Sequence, residues 1–331
     1  MSAKRLLIIS IMSILLMALP ACAESSGKLD IVSTTSVLWD PVAQIGGDKV
    51  NVIYISNPAI CPHMQSDVIQ NNLQLNKDFI SKADMFVANN GSIDKEYVMP
   101  YVADFMKSNG FGEVKWYTLK DPSMTWNKPE NAKKLAAEVK GWLAEKDPDN
   151  AAYYEENYNE YVKKIDAAEP TEQEKGLLGQ QNVIVMLWQQ DAVQNWLGIN
   201  VVNIFAPEFA MNGTKTPAKL VDDIKANPDK YKDVKFIIEN MQSGELAKGV
   251  EEALKDEGIN VKRVVFTNYP RSVEGVESIP DLLKYNKDLI LENAAEPTNT
   301  VTPTQTPVGM IAVIAGMLIG TVLVLYRSRN N

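Results

Sequence analysis

Histidine, cysteine and basic residues are the scarce components of this 331-residue chain. It contains one His and two Cys, and 42 acidic residues outnumber 33 basic ones, which gives a formal net charge of −9. A single His excludes a metal site built from three histidines, and it confines any His-based catalytic triad to the surroundings of one residue. The acidic balance argues against nucleic acid as a partner, because phosphates require a basic face.

Several enzyme motifs are also missing. The sequence has no P-loop, no G-x-G-x-x-G turn and no G-x-S-x-G elbow. Cys61 and His63 could form a thiolate–imidazolium pair, but no acid stands at a recognisable spacing to orient it, and Pro62 constrains both neighbours. We therefore predict that the protein is not an enzyme.

The N-terminal segment 1–23 is predicted to be a secretory signal. Lys4 and Arg5 precede an apolar run over 6–19, and the small residues of 21–23 follow as a cleavage site. Segment 19–22 also resembles a lipobox, which would make Cys22 a lipidated N-terminus. Pro20 fits that pattern poorly, so we prefer cleavage before Glu24.

The C-terminal segment 308–326 is predicted to be a transmembrane anchor. It is apolar and uncharged, and as a helix it would reach roughly 28 Å, close to the thickness of a hydrocarbon core. Arg327 and Arg329 follow it, so 327–331 is predicted to be a cytoplasmic tail. Segment 293–307, rich in Thr and Pro, is predicted to be an extended stalk. The expected location is the extracytoplasmic face of a cell membrane.

Between these ends the sequence predicts an α/β architecture. Nearly continuous runs of Val, Ile and Phe, typical of parallel strands buried on both faces, alternate with helical patterns in two series. The strands are predicted at 29–33, 51–55, 84–88, 114–119, 182–187, 200–205, 234–239 and 261–267. The division is an N-terminal lobe over 24–149, a long rigid linking helix over 150–180 and a C-terminal lobe over 181–292. Helices are expected at 94–107, 129–144, 150–168 and 244–257, among others.

Ligands of open parallel sheets bind beyond the carboxyl ends of the strands. Polar or sulfur-containing residues follow most of the predicted strands. The sequence therefore predicts one cleft between the lobes, lined by loops that begin near residues 57, 89, 121, 188, 239 and 268.

Within this frame the chain resembles the metal-type substrate-binding proteins of ABC transporters, the zinc- and manganese-uptake cluster. The likeness runs from about Leu29 to Glu292. It is carried by segments 31–37, 45–50, 61–63, 82–84, 90–91 and 147–150, together with Tyr154, Asn157 and Tyr161. The resemblance implies two α/β lobes bridged by a rigid helix, a metal ion held between them and an ABC permease as partner.

The resemblance also implies where ligands should lie. His63 matches the first family histidine, in Cys61-Pro62-His63 where the family usually has Asp-Pro-His. Three further family ligand positions hold Met124, Gln190 and Asn268. From the residues themselves, Cys61, His63, Met124 and Glu239 are the candidate metal ligands, and Gln190, Met241 and Asn268 are candidate ligand-binding residues. Cys, His and Glu favour zinc, whereas thiolate and thioether donors suit Cu(I).

The predicted function is capture of a transition metal ion (zinc, manganese or copper) for uptake by an ABC transporter. Two alternatives stay open. One is a binder of a metal complex or a small organic solute, because Gln190 and Asn268 are neutral hydrogen-bonding residues. The other is an adhesin-like surface protein that keeps the fold without the metal.

Overall fold

The computed structural model describes residues 27–295. The predicted signal sequence, nearly all of the predicted stalk, the anchor and the tail lie outside them. Within the described range no helix combines the length and the apolarity needed to cross a membrane. The strands are β1 (Leu29–Ser33), β2 (Val50–Tyr54), β3 (Met85–Ala88), β4 (Trp116–Thr118), β5 (Asn182–Met186), β6 (Asn200–Phe205), β7 (Phe236–Asn240) and β8 (Lys262–Phe266).

Helices connect these strands on both faces of the sheets. They are α1 (Ser36–Gly46), α2 (Ser66–Leu75), α3 (Lys77–Ile80), α4 (Ser92–Tyr97), α5 (Met99–Ser108), α6 (Pro129–Lys146), α7 (Ala151–Asp166), α8 (Glu172–Leu178), α9 (Pro217–Ala226), α10 (Lys248–Asp256) and α11 (Ile279–Ala295). The helix expected over 94–107 is two helices, because Pro100 begins a new first turn in α5 and Val98 leaves helical geometry. The helix expected over 244–257 starts only at Lys248, after a short turn over Met241–Ser243.

Two four-stranded sheets have the same topology. The order is β2-β1-β3-β4 in lobe 1 (residues 29–166) and β6-β5-β7-β8 in lobe 2 (residues 172–269). Every strand pairing is parallel. The predicted α/β fold with two parallel sheets is therefore confirmed.

The central strands of each sheet are buried on both faces, as their apolar runs predict, whereas the edge strands are partly exposed. Successive side chains of a strand point to opposite faces. Ile31 accordingly packs in the core beneath α1, α6 and α7, whereas its neighbour Val32 packs in the core beneath α2 and α5. In lobe 2, Ile184 and Val185 divide between two cores in the same way.

The first connection between the lobes runs through α7 and α8. α7 packs on α1 and α6 of lobe 1, and the chain then passes through residues 167–171 into α8. A capping box starts α8, in which Thr171 and Glu174 each bond the other's backbone N–H. Segment 150–180 thus contains two helices with a short break between them.

The motif at 147–161 docks α7 onto lobe 1. Asp147 accepts hydrogen bonds from Asn150 and from the hydroxyl of Tyr154, both at 2.7 Å. Asn157 donates to the carbonyl oxygen of Ile45 at 3.0 Å, and the hydroxyl of Tyr161 donates to Asp40 at 2.5 Å. Its polar residues therefore fix where the helix lies against α1.

The second connection is α11, which packs into both lobes. Ile279 and Leu283 belong to the lobe 1 core, and Ile290 belongs to a lobe 2 core. The backbone N–H of Ile279 donates to the buried carboxylate of Asp40 at 2.6 Å. The C-terminal helix therefore completes the N-terminal lobe.

Candidate metal site

A cavity of about 150 Å³ lies where the carboxyl ends of the strands of both lobes meet. Lobe 1 contributes residues that follow β2, β3 and β4, and lobe 2 contributes residues that follow β5, β7 and β8. The predicted convergence of these loops on one cleft is confirmed. The lining residues are Cys61, Ser92, Ile93, Thr125, Trp126, Asn127, Trp188, Asn240, Gln242, Ser243, Asn268 and Tyr269.

The cavity wall combines aromatic rings with side-chain amides. The rings of Trp126 and Tyr269 lie 5.9 Å apart between centroids, and Trp188 also lines the cavity. None of the described residues that line this cavity is Asp, Glu, Lys, Arg or His. The wall therefore suits a ligand that is neutral or whose charge is balanced by its own groups.

Cys61 lines the cavity, and its neighbour His63, which is not a lining residue, forms with it a pair of metal-type donors. Cys61 Sγ lies 2.9 Å from His63 Nδ1, which the intervening turn beginning at Pro62 permits. Burial raises the pKa of the Cys61 thiol, and the hydrogen bond from the His63 backbone N–H acts in the opposite direction. The half-buried thiol faces the cavity, and the imidazole lies beside it.

Two aromatic residues hold the His63 ring at the rim. Its centroid lies 5.9 Å from that of Tyr97 in lobe 1 and 5.5 Å from that of Phe209 in lobe 2, both in edge-on geometry. Phe209 in turn lies 6.1 Å from Trp188. This packing limits the movement of the imidazole and leaves Nδ1 directed at the thiol.

Side-chain amides join the two lobes around the cavity. Gln242 donates to the Pro58 carbonyl oxygen at 2.9 Å, and Asn127 donates to the Trp188 carbonyl oxygen at 2.9 Å. The indole N–H of Trp126 donates to the carbonyl oxygen of Asn268 at 2.5 Å. Each bond crosses from one lobe to the other, so together they hold the two sides of the cleft to each other.

Buried acceptors without partners cluster at the same place. Asn127 and Asn240 line the cavity, and the side-chain oxygen of each is buried without a hydrogen bond. The same holds for the side-chain oxygen of Gln189, whose amide nitrogen donates to Asn268 at 2.6 Å. Buried polar atoms are normally paired, so these three oxygens are exceptions to that rule.

Asp94 is a buried acid directly behind the cavity residue Ile93. It accepts hydrogen bonds from the Thr34 hydroxyl and from the Asn90 backbone N–H, while its second oxygen has no partner. Burial raises the pKa of Asp94 to about 6, against the opposing effect of these bonds. This carboxyl group can therefore exist in neutral form near physiological pH.

Glu239 has partners outside the cavity. Its two oxygens accept from the Ala247 backbone N–H at 2.9 Å and from the Arg263 guanidinium at 3.1 Å. Within β7, Glu239 shares a face with Ile237, which packs in the core beneath α9 and α10. The carboxylate therefore anchors the start of α10, and its neighbour Asn240 faces the cavity instead.

The other sequence candidates divide between the cavity and its surroundings. Asn268 lines the cavity. Met124 packs against the lobe 1 core and borders a separate depression on the surface. Gln190 donates to Gln194 at 3.4 Å, within its own helical segment, and Met241 starts the turn after β7 with 36% of its surface exposed.

Sequence reasoning did not single out Asn127, Gln189, Asn240 or Gln242 as site residues. The signal of Gln189, Asn240 and Gln242 was positional, since each stands within three residues of a strand's carboxyl end, whereas Asn127 lies in the longer loop after β4. Their chemistry is neutral, however, and a search for metal ligands passes over amides. Among residues 27–295 no group of three or more His, Cys, Asp and Glu is placed to hold a metal ion.

Comparison with protein families gives a match over most of the chain. Residues 31–293 match the family model described as the periplasmic zinc-uptake complex component A. The manganese ABC transporter substrate-binding lipoprotein scaA of Streptococcus gordonii is 25% identical over 295 residues, which cover 82% of this chain and 91% of that protein. The metal ABC transporter substrate-binding lipoprotein SsaB of Streptococcus sanguinis is 24% identical, covering 88% of this chain and 100% of that protein.

Solved structures share the fold. The Mn-bound periplasmic metal-binding protein from Candidatus Liberibacter asiaticus superposes with a TM-score of 0.60 at 18% identity, covering 81% of this chain and 100% of that one. A zinc-bound ZnuA deletion mutant superposes with a TM-score of 0.54 at 18% identity, covering 82% of this chain and 100% of that one.

Proposed function

We propose that this chain captures a transition metal in the cleft between its lobes, because it belongs to the family of the periplasmic zinc-uptake complex component A. It is the metal substrate-binding component of an ABC transporter, and a membrane permease of that transporter receives the metal. The observation that carries the proposal is that Cys61, which lines the interlobe cavity, has its Sγ 2.9 Å from His63 Nδ1.

The donor pair selects among metals. Zinc binds thiolate and imidazole, and Cu(I) is also well served by sulfur, whereas Mn²⁺ prefers oxygen ligands. Curated relatives named for manganese are similar in sequence, but the site proposed here contains sulfur and nitrogen. We therefore propose zinc or Cu(I) as cargo. The proposed protein donors are limited to Cys61 and His63, because Glu239 and Met124 have partners elsewhere.

Metal content is the direct test of this proposal. The full chain, purified under reducing conditions and titrated with Zn²⁺, Mn²⁺ and Cu(I), should bind one Zn²⁺ or Cu(I) per chain, at least tenfold more tightly than Mn²⁺. Losing an outer-shell partner of a metal ligand costs about 10–100-fold in affinity. Cys61→Ser and His63→Ala remove proposed ligands, so each should lower the affinity by at least about 100-fold.

Met64→Ala is the matched control for these variants. Met64 follows His63 and is 68% exposed, so its removal should leave metal affinity unchanged. Binding of Mn²⁺ in preference to Zn²⁺ and Cu(I), or zinc binding that survives both Cys61→Ser and His63→Ala, would show that this pair is not the site.

We propose that the protein works on the extracytoplasmic face of the membrane, held there by 308–326. A lipid on Cys22 is the competing anchor, and the relatives above carry the word lipoprotein in their names. A chain that stops after residue 307 should leave the membrane fraction and appear in soluble form, whereas Cys22→Ser should remain with the membrane. The reverse pattern would assign the anchor to Cys22.

A further inference from the structure

The cavity is much larger than a metal ion needs, and its wall is not that of a bare-ion site. A cavity of about 150 Å³ can hold one benzene-sized ring. A bare Zn²⁺ in a protein is normally surrounded by four donors, and charged ones reduce the cost of removing it from water. Here the wall is aromatic and amide, and Cys61 is the single metal-type donor among the lining residues described.

The coordination count points the same way. Cys61 and His63 together supply two donors, and no further His, Cys, Asp or Glu among residues 27–295 joins them in a group of three. With Zn–S of about 2.3 Å and Zn–N of about 2.0 Å, the two donor atoms of a tetrahedral site lie about 3.5 Å apart. They lie 2.9 Å apart here, so a tetrahedral site requires them to separate slightly, and two of its four positions are left for ligands other than His, Cys, Asp or Glu side chains of residues 27–295.

The unpartnered acceptors describe what should fill those positions. The amide nitrogen of Asn127 donates to the Trp188 carbonyl oxygen, and the buried oxygen of the same amide is left without a donor. The buried oxygen of Asn240 is in the same state. Both oxygens are closed off from solvent, so a molecule with N–H groups would pair with them once the two side chains turn toward the cavity that they line. The rings of Trp126, Trp188 and Tyr269 would pack against its flat faces.

We infer that the metal is captured as a complex with a small organic chelator, about the size of one aromatic ring and carrying N–H donors. The chelator occupies the cavity and supplies two ligands, and Cys61 and His63 supply the other two. The thiol proton passes to solvent when the metal binds. This inference rests on the proposed function, since it uses the same donor pair, and it adds the chemical class of the captured species.

A pair of isomeric probes tests the inference. 2-Picolylamine is a one-ring chelator with an N–H₂ group that binds a metal through both nitrogens. 3-Picolylamine has the same size and polarity, but its two nitrogens cannot reach one metal. Zn²⁺ should bind the full chain at least tenfold more tightly in the presence of 2-picolylamine, and 3-picolylamine should give no such gain. Neither amine should bind appreciably without zinc.

Two variants, one in the cavity wall and one outside it, test where the chelator binds. Asn240→Leu removes one unpartnered acceptor and breaks only a weak bond to the Met186 sulfur, so it should reduce the gain in zinc affinity from 2-picolylamine by about fivefold or more. Gln190→Leu makes the same kind of change outside the cavity and should leave the gain intact.

The outcomes distinguish this inference from the proposed function. Tight binding of zinc alone, with no gain from 2-picolylamine, overturns the inference and leaves the proposed function standing. Equal gains from both isomers, or amine binding without zinc, also overturn it, because the cavity would then bind amines independently of the metal. Absence of zinc binding in any combination overturns the inference and also removes zinc from the proposed function.

Discussion

Replacing Asp40 with alanine should lower the free energy of unfolding by about 3 kcal/mol. Asp40 is fully buried in α1, and its carboxylate accepts from the Tyr161 hydroxyl and the Ile279 backbone N–H. Alanine leaves both buried donors without an acceptor, at a cost of about 1–3 kcal/mol each. Denaturant unfolding at pH 6 would measure the loss. Asp222→Ala, at an exposed position of α9, is the control and should change stability by less than about 0.5 kcal/mol.

The same carboxyl should make stability depend on pH. Burial raises the pKa of Asp40 from 3.8 to about 7, against the opposing effects of the bonds from Ile279 and Tyr161. Between these values the folded state binds more protons than the unfolded state, so stability falls as the pH rises. The contribution of the protonated Asp40 carboxyl to the free energy of unfolding is complete below pH 3.8 and is lost as the pH rises through about 7.

Asp40→Asn isolates this effect. Asparagine can still accept both bonds but does not ionise. Between pH 5 and pH 8 the wild type should therefore lose about 3 kcal/mol relative to Asp40→Asn, since one pKa unit corresponds to about 1.4 kcal/mol. Parallel stability curves for the two proteins over this range would contradict the assignment, as would a wild-type loss confined to pH values below 4.

Replacing Gln242 with leucine should both destabilise the protein and loosen the cleft. The Gln242 amide donates to the Pro58 carbonyl oxygen across the lobes and to the Thr267 hydroxyl, and it accepts from the Asn268 backbone N–H at 3.1 Å. Leucine leaves these buried groups unpaired, so we expect a loss of about 2–3 kcal/mol. The bond to Pro58 belongs to the loop that carries Cys61, so the thiol should also become more accessible.

Thiol reactivity measures the second effect. In Gln242→Leu a maleimide should modify Cys61 several-fold faster than in the wild type, as read by mass spectrometry of the peptide that contains it. Gln190→Leu is the control, because Gln190 makes a single long bond within its own helical segment. Unchanged Cys61 reactivity in Gln242→Leu, with the expected loss of stability, would mean that this amide supports lobe 2 without holding the lobes together.

The fold was predictable because its signals are local. Each buried strand is a short apolar run, and β1 and β6 begin and end where the sequence predicts. The polar residues at 147–161 mark the start of α7 and its docking on α1. The dual packing of α11 was not predictable, since it depends on which cores the two ends of one helix reach.

The candidate site was predictable in place but not in chemistry. The order of the strands decides which loops meet at the cleft. Cys61 and Asn268 both line the cavity, in loops that the sequence assigns to it. Side-chain direction is a different matter. Glu239 is the acidic residue at the end of β7, yet strand alternation directs it to the α10 face and gives the cavity Asn240. Alternation of side chains along β7 from Ile237 would have placed Glu239 in the core and Asn240 at the cavity. The search for a carboxylate ligand did not apply it.

The hydrogen bond between Asp40 and Ile279 spans 239 positions of the sequence. Lobe 1 therefore cannot finish its core during synthesis until α11 has emerged from the ribosome. Contacts of such long range form late and slow the rate of folding. Until then Asp40 lacks one of its two donors, and the core of the N-terminal lobe lacks Ile279 and Leu283.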